Sequence, residues 1–316
     1  MRWVRRTAAA LTVLTAAGSA VAATSAPGPY AAPAPAPALS AATLDARFAA
    51  AARDIAGARA TAVRAGDAER ARALSAFLAP GRRFLAFDPR GDGRAVEVFG
   101  DLRRADRIAV VVPGADNALA NFDSVKFAGG GARALHRRMV AAEPSARIAV
   151  VAWLGYRAPS TLGPDVLRDD RAESGARRLG RFLDGLARVN GKAEVALLCH
   201  SYGSVVCAEA APGLAGVRVD DIALFGSPGT TARSAADLRT PATVWAGRST
   251  GDWIRFVPHV RFAGVGFGPD PVSPGFGAVR FDAGTGPHSG YLKPGSAALR
   301  NLALIALGRD SEVARA

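Results

Sequence analysis

Histidine and cysteine are scarce in this chain, with four and two among 316 residues, and the scarcity excludes several kinds of chemistry. Neither cysteine has a third and fourth ligand near it in the sequence, so no metal site is expected. No cysteine lies where it could carry a lipid anchor behind the N-terminal apolar stretch. That stretch, residues 8–17, is too short and too alanine-rich to make a convincing membrane span. The net charge is +13, yet the arginines are scattered and no basic cluster is interleaved with aromatics, which argues against a nucleic-acid surface. Such a charge fits a protein held near an anionic cell-envelope surface. No cofactor is called for.

The N-terminus has the parts of a secretory signal: Arg2, Arg5 and Arg6, the apolar stretch, then Ala20-Val21-Ala22 as a cleavage site. A signal peptide over 1–23 and a secreted or envelope-associated protein are expected. Residues 24–39, with Pro33, Pro35 and Pro37 alternating with alanine, read as an extended linker. What remains, 40–316, is enough for a single α/β domain with a substantial core, opened by a helical segment over 40–79.

The centre of that domain is Cys199-His200-Ser201-Tyr202-Gly203, between the apolar run 193–198 and the small-residue stretch 204–211. A strand, then x-H-S-x-G, then a helix forces a serine onto a tight turn with its hydroxyl projecting at the strand's carboxyl end. Strand and helix approach closely there, so the residues two before and two after must be small. Gly203 satisfies this fully and Cys199 only partly. Ser201 is the candidate nucleophile, the alternative being an ordinary turn with a buried serine.

A serine hydroxyl needs a histidine base, and the histidine needs a carboxylate to fix its tautomer. When both partners follow the elbow in the order acid, then base, His136 is excluded as upstream and His200 as pointing away from the serine hydroxyl. His288, on the loop Gly284-Thr285-Gly286-Pro287-His288-Ser289-Gly290, is preferred to His259. For the acid, Asp252 leaves the carboxyl end of an apolar strand at 243–246, the rim where open parallel sheets bind ligands. Asp282 and Asp237 are its competitors. An oxyanion hole would take one N–H from Tyr202 and a second from Ala115, in the loop that follows the strand 107–112. Cys199 and Cys207 are either bridged, tying the strand end to the next helix, or two buried thiols.

Helices are expected over 42–63, 67–77, 124–141, 170–189, 203–211 and 296–307. Strands at 84–87 and 95–99 flank a hairpin turn, and others fall near 107–112, 148–153, 193–198, 220–225, 242–246 and 278–282. The alternation implies a mostly parallel central sheet of about eight strands with helices on both faces.

Six segments in order, FLAFDPRGDGRAVEVFGDL at 84–102, VVPGADN at 111–117, VAWLGY at 151–156, CHSYGSVVC at 199–207, FGSPG at 225–229 and GPHSGYL at 286–292, resemble the α/β-hydrolase superfamily. Within it they are most similar to an actinobacterial family of hydrolase-like domains without an assigned function. The resemblance implies the α/β-hydrolase fold and a Ser201, Asp252, His288 triad, but no substrate. The expectation is a serine hydrolase acting on small-molecule or lipid esters. An amidase or acyltransferase with the same triad, and a non-catalytic envelope-binding module, stand as alternatives. The 16 or so residues after 225 leave no room for a large lid. The roof would then be the Gly/Pro-rich loop 253–277 with Phe256, Phe262, Phe267 and Phe276, or the N-terminal helices, and the loop is expected to line an acyl pocket.

Overall fold

The computed structural model of the protein describes residues 28–316; the expected signal peptide and the first residues of the expected linker lie outside the described residues. An eight-stranded sheet runs in the order β1-β2-β4-β3-β5-β6-β7-β8. Its members are β1 (Arg83–Asp88), β2 (Arg94–Gly100), β3 (Arg107–Val112), β4 (Ile148–Leu154), β5 (Glu194–His200), β6 (Val219–Phe225), β7 (Thr243–Gly247) and β8 (Val279–Arg280). The opening hairpin pairs antiparallel and docks antiparallel on β4, while β4, β3, β5, β6, β7 and β8 are mutually parallel neighbours. The fold is that of an α/β hydrolase.

The central strands are near-continuous apolar runs because both faces are covered. Along β3, Ile108, Val110 and Val112 enter one core, and Ala109 and Val111 enter the other. Helices α4 (Asp170–Val189) and α5 (Gly203–Ala210) close the first face; α2 (Ala68–Phe77), α3 (Ala128–Ala142) and α6 (Ala297–Ala306) close the second. α1 (Leu44–Arg64) lies against β1 and shields that edge from pairing with another chain.

Three expectations need correction. The N-terminal helices sit at the β1 edge, four strands from β5, so they do not roof the site. α3 begins at Ala128 rather than 124, because the segment before it is held in turns: Asn117 Oδ1 accepts from Ala128 N at 3.0 Å, and Phe122 O accepts from Gly129 N. β8 is only two residues long, since after Phe281 N bonds to Ala246 O the chain turns away and Asp282 N bonds to Ala314 O.

Candidate active site

The local backbone of the elbow follows from crowding. Ser201 has φ +52°, a left-handed conformation that costs a non-glycine residue roughly 1–3 kcal/mol and persists only where its surroundings hold it. They hold it here: Ser201 N donates to Phe225 O at 2.9 Å and Ser204 Oγ to Ser201 O at 2.5 Å. A Cβ on Gly203 would lie 2.5 Å from Val112 O, and one on Gly114 would lie 2.7 Å from the Ser201 Cβ. Gly114 therefore admits the serine itself. Cys199 and Cys207 are joined by a disulfide, with Cα atoms 6.4 Å apart, so the larger residue two before the serine is tied into the following helix.

Ser201, His288 and Asp252 are brought together from three loops at the carboxyl rim. His288 Nε2 is 2.9 Å from Ser201 Oγ, and His288 Nδ1 is 2.8 Å from Asp252 Oδ1. With Nδ1–H donating to the carboxylate, Nε2 is left as an acceptor facing the serine hydroxyl. Asp252 is fully buried. Burial pushes its carboxyl up, but hydrogen bonds from His288, Tyr291 and the Ile254 N–H outweigh that and leave it below the ordinary value. The Tyr291 hydroxyl donates to Asp252 Oδ2 at 2.5 Å and accepts from Ser249 N at 3.1 Å.

The competing residues lie elsewhere. Asp282 Oδ1 caps the turn at Gly284 N, and Asp237 accepts from Arg233 N. His259 Nε2 is 3.5 Å from Asp270, and His136 is on α3 beside Phe99.

Besides Tyr291, three more side chains that build the site were given no such role by the sequence. His200, expected only to point away from the serine, uses its Nε2–H to hold the backbone carbonyl of His288 at 2.9 Å, and its ring lies 4.8 Å from that of His288. Burial, helped by His288, pushes the His200 imidazole down to about 3, so it serves as a neutral strut. Tyr156, buried under the 113–117 loop, donates to Pro113 O at 2.8 Å; Asn117 Nδ2 donates to Gly114 O and Ala115 O. These bonds hold three successive carbonyls of the loop in place beside the elbow. Neither Ala115 N–H nor Tyr202 N–H has a hydrogen-bond partner among the described residues. The signals were present in VAWLGY and VVPGADN, but the contacts span up to 43 positions.

Ser201 lines a cavity of about 380 Å³ together with Ala115, Leu167, Tyr202, Trp253, Val260 and Phe267, among others. The 253–277 loop supplies much of this wall, but not through the four phenylalanines expected. Phe267 lines the cavity, Phe276 is buried in the core, and Phe256 and Phe262 point outward. Phe262 is turned out because Phe262 and Val265 exchange two backbone hydrogen bonds around Ala263 and Gly264, both at positive φ. Among the described residues no cluster of His, Cys, Asp and Glu is placed to hold a metal, and no helix is long and apolar enough to cross a membrane.

Fold and elbow together define an α/β hydrolase. Residues 88–262 match the family model described as Alpha/beta hydrolase, more than half of the chain, and the chain belongs to that family. Among curated relatives it is similar to the uncharacterized proteins Rv2079 and Rv0963c of Mycobacterium tuberculosis. The first is 34% identical over 268 residues, 73% of this chain and 40% of the relative; the second is 36% identical over 178 residues, 53% and 66% respectively. The match thus spans well under half the length of the first relative. Solved structures similar to the chain include esterase PE8 (15% identity, TM-score 0.44, 67% of this chain and 96% of that one). Another is the dienelactone hydrolase-like promiscuous phosphotriesterase P91 from metagenomic libraries (18%, 0.43, 71% and 95%).

Proposed function

We propose that the protein is a secreted serine hydrolase that cleaves carboxylic esters of apolar acyl groups. The observation that carries this reading is the Asp252–His288–Ser201 hydrogen-bonded series ending in the lining of an apolar cavity. In the reaction, Ser201 Oγ attacks the ester carbonyl carbon while His288 Nε2 takes its proton. Negative charge develops on the carbonyl oxygen, where the free N–H groups of Ala115 and Tyr202 receive it; each such donor contributes about 3 kcal/mol in the transition state. His288 then protonates the departing alcohol, and water, deprotonated by the same imidazole, releases the acid from the acyl-serine. Asp252 stays ionised throughout, fixing the tautomer and stabilising the imidazolium. The cavity is lined mainly by aliphatic and aromatic side chains, which favours an acyl chain over a peptide.

Export is part of the proposal. The signal-like 1–23 segment supports it, as does the Cys199–Cys207 bridge, a bond that persists in oxidising compartments. On this reading the Ala/Pro linker over 24–39 separates the leader from a single domain at 40–316, and the basic surface suits an anionic envelope.

The test is labelling with a fluorophosphonate. Labelling of the folded protein that disappears in Ser201→Ala and in His288→Ala is the expected outcome. A folded wild-type protein that does not label overturns the assignment. Ser201→Ala is expected to lower turnover by on the order of 10⁴- to 10⁶-fold.

A further inference from the structure

Eleven large hydrophobic side chains are exposed among the described residues, and seven fall on two segments that both help line the cavity over Ser201. Trp253, Phe256, Val260, Phe262 and Val265 stand on one segment; Leu162 and Leu167 stand on the other. Phe256 is 73% exposed, Phe262 84% and Leu162 98%. The segments are joined: Gly266 N donates to Leu167 O at 2.9 Å, and Arg261 pairs with Asp169 at 2.6 Å. Phe262 rides on a tight turn that needs positive φ at both Ala263 and Gly264, so its outward aim is built into the backbone. Scattered exposed hydrophobics are ordinary; a contiguous group at the mouth of a cavity marks an interaction surface.

The identity of the partner follows from continuity and charge. Leu167, Trp253, Val260 and Val265 belong both to the exposed patch and to the lining of the cavity over Ser201. An acyl chain can therefore pass from an apolar phase to the serine along apolar side chains, without being exposed to water on the way. Residues 253–269 carry two arginines, one histidine and no carboxylate; Arg261 is taken up by Asp169, and Asp165 on the other segment is taken up by Arg171, which leaves Arg255. Arg255 has no carboxylate partner among the described residues, and its guanidinium stacks over the Phe256 ring at 4.5 Å. Aromatic side chains that reach outward beside an uncompensated cation are suited to the boundary between acyl chains and anionic headgroups.

We propose that the 253–265 segment, with Leu162 and Leu167, docks the protein onto a lipid surface bearing anionic headgroups, so that the cavity over Ser201 opens into the lipid. The proposal rests on the ester-hydrolase reading for its purpose, but its measurement does not require turnover. The probe is vesicles of phosphatidylcholine alone and of phosphatidylcholine with phosphatidylglycerol, sedimented with the Ser201→Ala protein. The Phe256→Ser/Phe262→Ser pair is made in the same background and its fold checked by circular dichroism. Neither phenylalanine lines the cavity, so with Ser201 restored the double variant keeps hydrolysis of a short soluble ester.

Partition to the anionic vesicles is expected to fall on the order of 100-fold in the double variant, each buried ring contributing on the order of tenfold. Arg255→Gln is expected to weaken it about fivefold, the effect of one cation near an anionic surface. Equal partition to both vesicle types, or an unchanged double variant, overturns the proposal. So does absence of partition to either vesicle, which would leave a protein as the partner of the patch. Vesicle binding by a protein that no fluorophosphonate labels would keep the docking surface and overturn the hydrolase reading.

Discussion

Asp252 and Asp221 are both buried, both take a hydrogen bond from an aromatic side chain, and stand at opposite rims of one sheet. Asp252, beyond the carboxyl end of β7, is met by His288, Tyr291 and the Ile254 N–H, and its carboxyl is held below the ordinary value. Asp221, near the amino end of β6, receives Trp245 Nε1–H at 2.8 Å. Burial pushes its carboxyl up to about 6, with Asp310 and Asp220 adding to the rise and Trp245 and Arg107 opposing it. Depth of burial is shared, so the number and charge of the donors decide which aspartate is held as an anion. The carboxyl rim has gathered donors around its carboxylate; the amino rim has placed two more carboxylates near its own.

The two aspartates should differ most in turnover. Asp252→Asn is expected to lower kcat by about 10⁴-fold, because an amide no longer selects the histidine tautomer that leaves Nε2 free. Asp221→Asn should leave steady-state hydrolysis unchanged; a comparable loss there would mean that the two rims are coupled. Tyr291→Phe removes one donor from Asp252 and leaves the others. The expected result is a fall in kcat of between about 10- and 100-fold with KM little changed, the effect of one hydrogen bond to a charged group. Tyr291 does not line the cavity over Ser201, so its expected role is to position Asp252, and a change confined to KM would contradict that role.

Stability sharpens the contrast through its sign. For Asp221 the folded value, about 6, lies above the ordinary 3.8, so its ionisation opposes folding. This penalty is complete above pH 6 and disappears as pH falls to 4, reaching about 3 kcal/mol at about 1.4 kcal/mol per unit. Asp252 behaves in the opposite sense: its stabilising contribution is present above the ordinary value and is lost as pH falls through the lowered one. Thermal unfolding followed from pH 7 to 4 should show Asp221→Asn more stable than the parent by up to about 3 kcal/mol at pH 7, converging near pH 4. A constant gap across that range would show that the asparagine acts through packing instead.

The sheet was legible from the sequence because its central strands are apolar on both faces and its helices carry one apolar side, patterns set within a few residues of each other. Serine, its following glycine and the loop after β3 were legible for the same reason: an elbow is a local steric problem. Of the four supporting side chains the sequence left unassigned, three act at long range. Tyr156, Tyr291 and His200 act through hydrogen bonds to backbone or carboxylate far away in the chain, and nothing in their immediate neighbours separates a strut from a core aromatic. The short β8 and the late start of α3 were missed because hydrogen bonds to Ala314 and Asn117 overrode local pattern. Asp252 could be told from Asp282 only in three dimensions, where one carboxylate reaches His288 and the other turns back on Gly284.

Both sulfur atoms of the Cys199–Cys207 bridge belong to residues with no exposed surface. Thiol–disulfide exchange requires an attacking thiolate to reach a sulfur, and in the folded molecule none can. On the export reading, the redox state of the elbow is set in the compartment where the chain folds. Protein folded in a reducing cytoplasm and protein folded after export would be two forms of one sequence, distinguishable by mass and interconverting only when the elbow opens.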